Sequence, residues 1–340
     1  MASKTYRAVQ VSKPGKLEVV ERAIVEPSGK NVRIRVEACG VCHSDAGTVE
    51  GQFPGISYPR VPGHEVIGKI DAVGDSVSGW KIGQRVGVGF LGGPCFECNP
   101  CRHGKFVNCQ NQSISGVSSD GGYAEVMIAS EDGLSAVPDE LSSKEAAPLL
   151  CAGLTTFNAL RNSSGRPGDL VAIHGIGGLG HLGVQYARAM GFRVVAIARG
   201  ADKAELAKKL GAHHFINSQA EDPASALKVL GGAKVILATV TSGKAMASLI
   251  GGLAAGGKMI AVGIAGDPID VSTVDLVMGT RSLEGSLTGT AIDGEETLAF
   301  SVLGNIRPMI ETVPLERAPE AYARMMRGEA RFRMVLVMGQ

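Results

Sequence analysis

A chain of 340 residues, 44% of them hydrophobic, is long enough for two domains with cores of their own, and a globular protein is expected. Its formal net charge is only +1 with acids and bases interspersed, so no nucleic-acid surface and no acidic membrane partner is expected, and small-molecule binding fits better. No apolar run approaches the length of a membrane span and residues 1–5 lack the apolar core of a secretory signal, which makes the cytoplasm the expected compartment.

In chain order, residues 7–11, 17–20 and 32–36 are β-prone and are separated by the turn residues Pro14-Gly15 and Pro27-Ser28-Gly29, which predicts an all-β opening. Cys42, His43, Ser44 and Asp45 follow, setting a thiol, an imidazole, a hydroxyl and a carboxylate side by side. A thiolate among proton-transferring side chains suggests catalytic zinc, which keeps one coordination position open. The other ligands must come from elsewhere. His64 and Cys151 are the candidates, giving a Cys-His-Cys site with a vacancy for water or a substrate oxygen. Each also has a plainer reading: Cys42 and Cys151 as core thiols, His64 as a turn histidine after Gly63. The three together, with the nucleotide signal below, favour the metal.

Residues 66–70 and 86–88, with Val73 and the glycines Gly68, Gly74, Gly79, Gly83 and Gly87, suit tightly turning strands of a barrel-like domain. Cys95, Cys98 and Cys101 stand in two C-x-x-C steps, and Cys109 completes the ligand set of a closed, all-thiolate zinc site. Two disulfides are the competing reading, disfavoured by a reducing compartment and by the spacing. Such a zinc pins a loop and counts as folding free energy, leaving Glu97, Arg102, His103 and Lys105 solvated. Beyond Gly121-Gly122-Tyr123, residues 124–128 read as a strand, 142–150 as a short helix start and 155–161 as a helix.

There the pattern changes. Residues 170–174 form a compact apolar strand that runs straight into Gly175-Ile176-Gly177-Gly178-Leu179-Gly180 and a helical pattern to residue 190. Strand, glycine turn and helix in that order are the context of a dinucleotide fingerprint, with the pyrophosphate at the helix N-terminus. The next strand, 193–198, should end in Asp or Glu if a carboxylate is to hold the adenosine ribose. Here it ends in Ala198, with Arg199 and Lys203 close by, which favours NADP; NAD stays the alternative if Arg199 is only a loop charge.

Helices at 201–210, 223–230 and 244–250 and strands at 215–216, 235–237, 259–262 and 283–287 continue a doubly wound parallel sheet. Helices at 295–304 and 318–327 and a strand at 332–337 make a tail that returns to the first domain. The fold class expected is α/β: a discontinuous barrel-like β domain, residues 1–152 and 290–340, with a dinucleotide-binding domain at 153–289 inserted.

Cys42-His43-Ser44-Asp45, Gly63-His64-Glu65, the four-cysteine lobe, Cys151-Ala152-Gly153 and the glycine turn at 175–180, in this order, resemble the zinc-dependent alcohol dehydrogenases of the medium-chain dehydrogenase/reductase superfamily. The likeness covers essentially the whole chain and is nearest the bacterial and yeast branch or its cinnamyl-alcohol-dehydrogenase-like relatives. It implies a GroES-like catalytic domain, a Rossmann domain, two zinc ions per chain, an NAD(P) cofactor and a homodimer or homotetramer. The implied reaction is reversible oxidation of primary, secondary or aromatic alcohols. Cys42, His64 and Cys151 are then the catalytic zinc ligands, Glu65 an occasional or outer carboxylate, and Asp45 the group that orients His64. Ser44 becomes the first member of a proton relay. His43 and Arg333 match pyrophosphate contacts, and each also reads as a surface charge.

Two positions depart from the pattern. Gly47 stands where many members carry a relay histidine, and Phe53 and Phe90 stand where the yeast-like branch has pocket tryptophans. Smaller aromatics leave room for substrates larger than ethanol, although both also read as core residues. Rival readings are an NADPH-preferring aldehyde reductase, a zinc-bearing interaction module and a nucleotide-binding relative without turnover.

Overall fold

The computed structural model describes residues 5–339; residues 1–4, part of the stretch read above as lacking a signal core, lie outside the described residues. Two compact units divide the chain. One extends to Leu154 and resumes at Gly289, and the other is Thr155–Thr288. Among the described residues no helix is long and apolar enough to cross a membrane.

The first unit opens with a hairpin of β1 (Thr5–Lys13) and β2 (Lys16–Ala23), closed by Pro14-Gly15, where Gly15 takes the positive φ of +79° that so tight a connection needs. β3 (Asn31–Val41), β4 (Val66–Val73), β5 (Arg85–Val88), β6 (Val126–Ser130) and β7 (Leu134–Ala136) follow. β3 is central. Its first half alternates Val32, Ile34 and Val36 inward with Arg33 and Arg35 outward, and both arginines donate to Asp71. Its last four residues are all buried, because another strand covers each edge there, and this run delivers the chain to Cys42.

The second unit is a six-stranded sheet of β8 (Leu170–His174), β9 (Arg193–Ala198), β10 (His214–Asn217), β11 (Ala233–Ala238), β12 (Leu253–Ala261) and β13 (Ser282–Gly285). All its pairings are parallel, in the order β10-β9-β8-β11-β12-β13, with helices between successive strands. The strand order reverses between β8 and β11, and such a switch point is where open α/β sheets bind their ligands, at the carboxyl ends of the strands. All five residues of β8 are buried, as an apolar run in the middle of a parallel sheet requires.

The last strands, β14 (Ile310–Pro314) and β15 (Arg333–Val337), join the first unit, where β15 pairs antiparallel with β3 in the register Met334 to Val41. The sheet there runs β14-β15-β3-β4-β5-β7, with β6 also on β3. Several elements differ from the sequence expectation. The helix expected at 201–210 is the shorter Ala204–Lys209, and the strand expected at 259–262 begins earlier as β12. β7, β14 and the helix Thr273–Gly279 carry no clear periodic signal, and none of that helix's residues is buried.

Candidate active site

Four elements bring the chemistry together. β3 ends at Val41, and the chain turns through a single 3-10 turn, His43–Asp45, whose Asp45 carboxylate accepts the backbone N–H of Cys42 at 2.9 Å. His64 arrives on the loop before β4, after Gly63 at φ +103°. A Cβ on Gly63 would stand 2.4 Å from the Tyr123 ring, so both conformation and space demand glycine there. Cys151 sits on a π-helical turn, Leu149–Gly153, that continues the helix Ser143–Pro148; a widened turn of this kind is common where a side chain must be re-aimed.

The result is a cluster in which ligand atoms of Cys42, His64, Glu65 and Cys151 all lie within 4.8 Å of one another. The Cys42 and Cys151 sulfurs are 3.7 Å apart. Two thiolates on one tetrahedral zinc, each at roughly 2.3 Å, stand about 3.8 Å apart. His64 Nδ1 lies 3.0 Å from Asp45 Oδ1, while Nε2 is buried without a hydrogen-bond partner. An orphaned imidazole nitrogen beside two thiols is a donor set that suits zinc, and an Nδ1–H held by a carboxylate leaves the Nε2 lone pair free to ligate. The contact between the two sulfurs draws the Cys42 thiol well below its ordinary pKa and pushes that of Cys151 up.

Glu65 and Arg333 form a fully buried ion pair at 0% and 5% side-chain exposure. Arg333 is therefore no surface charge, which corrects that reading: β15 places it inside the unit, where it faces a carboxylate. Burial pushes the Glu65 carboxyl up to about 7 against the opposing pull of Arg333, and Oε2 has no partner. Gly40 makes the room, since a Cβ there would fall 1.8 Å from that oxygen.

Around the cluster, Ser44 is half-buried and His43 exposed on the same turn. Phe90 presents its ring edge-on to His64 with centroids 5.1 Å apart, so it borders the cluster. Phe53 covers Gly47: a Cβ at that position would meet the Phe53 ring at 1.9 Å. The missing relay histidine and the phenylalanine are thus one packing arrangement.

Cys95, Cys98, Cys101 and Cys109 form the second cluster, again within 4.8 Å, and all seven cysteines are free. Backbone N–H groups of Cys95, Cys98 and Gln110 donate to the sulfurs of Cys109, Cys95 and Cys98 at 3.3–3.4 Å, and backbone hydrogen bonds from Glu97 and Cys98 carry the Cys95 thiol down to about 6. That is the environment thiolate ligands need.

In the second unit the glycine turn follows β8 directly. Gly175 has φ +96°, and a Cβ on Gly180 would stand 1.7 Å from the Gly175 carbonyl oxygen. Gly177 has nothing within 4 Å of its Cβ direction, with Gly178 and Leu179 completing the turn into the helix Gly180–Ala189, so backbone there is open to a close-approaching ligand. Lys203 Nζ donates to the Ile176 carbonyl at 3.1 Å, which ties it to the turn, while Arg199 is exposed just beyond the buried Ala198. Tyr123, absent from the sequence reading of the site, is fully buried with its hydroxyl on Asp45; the paired glycines before it were the available signal.

Comparison with known proteins is consistent across the chain. Residues 28–139 match the family model described as alcohol dehydrogenase GroES-like domain, and residues 178–302 match that described as zinc-binding dehydrogenase. The alcohol dehydrogenase patD of Penicillium expansum is 42% identical over 335 residues, covering 98% of each chain. Among solved structures, the cinnamyl alcohol dehydrogenase SbCAD4 of Sorghum bicolor superposes with a TM-score of 0.88 at 29% identity, covering 98% of each chain. CAD from Helicobacter pylori complexed with NADP(H) gives a TM-score of 0.85 at 28% identity over 98% of each chain. With two units of the corresponding folds and these matches along their length, the chain belongs to the zinc-dependent alcohol dehydrogenases of the medium-chain dehydrogenase/reductase superfamily.

Proposed function

We propose that Cys42, His64 and Cys151 hold the catalytic zinc of this alcohol dehydrogenase, with Glu65 as an alternative ligand, and that Cys95, Cys98, Cys101 and Cys109 hold a second, structural zinc. The observation that carries the reading is the buried, unpartnered His64 Nε2 beside the Cys42 and Cys151 sulfurs. A zinc held there would supply Lewis acidity that eases loss of the substrate hydroxyl proton, and a nicotinamide cofactor would supply the hydride acceptor.

The chain's own residues do the rest. Asp45 holds His64 in the tautomer that ligates. Ser44 accepts the substrate hydroxyl proton and passes it outward. No side chain at position 47 can take part in that route, because Phe53 fills its space. Beyond Ser44 the proton would pass to water. Phe53 and Phe90 give an apolar boundary suited to primary alcohols bulkier than ethanol, aromatic ones included; a cinnamyl alcohol dehydrogenase among the structural neighbours supports this.

NADP is the favoured cofactor. Ala198 leaves no carboxylate to repel a 2′-phosphate, and the exposed Arg199 supplies a cation, as does Lys203 beside the turn. His43 and Arg333 are read as cofactor contacts on the resemblance alone. In steady-state kinetics kcat/KM with NADPH should exceed that with NADH, and Ala198→Asp should reverse the preference by tenfold or more. Strong preference of the parent for NADH would refute the assignment. An NADPH-preferring aldehyde reductase of the same superfamily is the rival reading.

A homodimer or homotetramer is proposed, pairing through the edge strand β13, whose four residues are all exposed, as are Val277, Met278 and Leu287 in the segments before and after it. Met278, 82% exposed, becomes a test: Met278→Glu should shift light-scattering mass toward the monomer, and an unshifted oligomer would exclude this face. A cytoplasmic location is supported by seven free cysteines.

A further inference from the structure

We propose that Tyr123 is a positioning residue for the catalytic metal, acting through Asp45 on His64; this rests on the reading that Cys42, His64 and Cys151 hold that metal. The Tyr123 side chain is fully buried and its hydroxyl donates to Asp45 Oδ2 at 2.9 Å. That oxygen also accepts the backbone N–H of Cys42 at 2.9 Å, while Oδ1 lies 3.0 Å from His64 Nδ1. One carboxylate therefore ties together the backbone of one ligand, the ring of a second and a phenol from a distant segment. Hydrogen bonds to an ionised carboxylate are short and strong, so two donors on Oδ2 fix the direction in which Oδ1 meets the imidazole. With Nδ1 bonded there, Nε2 faces the sulfurs.

The chain goes to some length to put a phenol at this spot. Gly121, Gly122 and Tyr123 lie against the loop that carries His64, through Gly121 N–H to Val61 O, Gly122 N–H to Gly63 O and Tyr123 N–H to Pro62 O at 2.7–3.0 Å. Side chains would forbid this approach: a Cβ on Gly121 would meet Gly63 O at 2.1 Å, and one on Gly122 would meet Val66 at 2.3 Å. Gly63 in turn yields its Cβ space to the Tyr123 ring. Glycines on both facing segments thus allow one aromatic ring behind the histidine, and phenylalanine would fill that volume equally well. What tyrosine adds is a buried hydroxyl, which must find a partner and finds Asp45.

The test is per-site zinc affinity of the full chain by chelator competition, with the four-cysteine site as internal reference and a Cys42→Ser sample to assign the two signals. Tyr123→Phe should weaken zinc at the catalytic cluster about tenfold, the lower end of what outer-layer partners of metal ligands contribute, and leave the four-cysteine zinc unmoved. In an Asp45→Ala background the same change should add nothing, because the path through Asp45 is already cut. Unchanged affinity, equal loss at both sites, or an undiminished effect in the Asp45→Ala background overturns the proposal. A parent chain that binds zinc only at the four cysteines overturns the underlying site assignment instead, and the inference with it.

Discussion

Cys42→Ser should lower kcat/KM by at least about a thousandfold, since a serine hydroxyl is not a thiolate at neutral pH and loss of the zinc removes several kcal/mol of charge stabilisation. Cys42 is buried beside Cys151 and His64, so its replacement removes one of the three ligands that the cluster brings together. The glycine turn lies in the other unit and should bind dinucleotide nearly as before, which protein fluorescence titration with NADPH will show. Full activity in a Cys42→Ser preparation free of zinc at this cluster would defeat the assignment. This substitution also separates an active dehydrogenase from a relative that merely binds nucleotide.

Arg333→Ala should cost about 3–5 kcal/mol of stability, the range for removing one partner of a buried ion pair. Glu65 is wholly buried and already raised to about 7 by its surroundings, so without the guanidinium it must take up a proton or remain an uncompensated charge. Combining Arg333→Met with Glu65→Gln should recover most of the loss, because neither charge is then left alone. Urea unfolding followed by circular dichroism measures both. A single variant within about 1 kcal/mol of the parent would mean that the pair is solvated in solution.

What was legible in the sequence divides along a physical line. β8, the glycine turn and the helix after it were readable nearly to the residue, because a buried parallel strand is a continuous apolar run and the turn needs glycine for local reasons. The cysteine steps from Cys95 were equally local. Cys42, His64 and Cys151 were nameable as chemistry, and the structure gathers their ligand atoms, but the π turn that aims Cys151 leaves no trace in a 3.6-residue period. β7 and β14 escaped because three to five residues paired to distant strands carry little pattern of their own. Tyr123, and the buried partner of Arg333, escaped for a related reason. Arg333 and Tyr123 each matter through a partner far away in sequence, Glu65 and Asp45, and burial of that partner cannot be read from the neighbours of either residue.

The most direct measurement is zinc content by elemental mass spectrometry on the parent and on His64→Ala. Two zinc ions per parent chain and one per variant chain are expected, the remaining one lost only when Cys98 or Cys101 is also replaced. A parent with a single zinc, or a His64→Ala chain that keeps two, would contradict the two-site assignment.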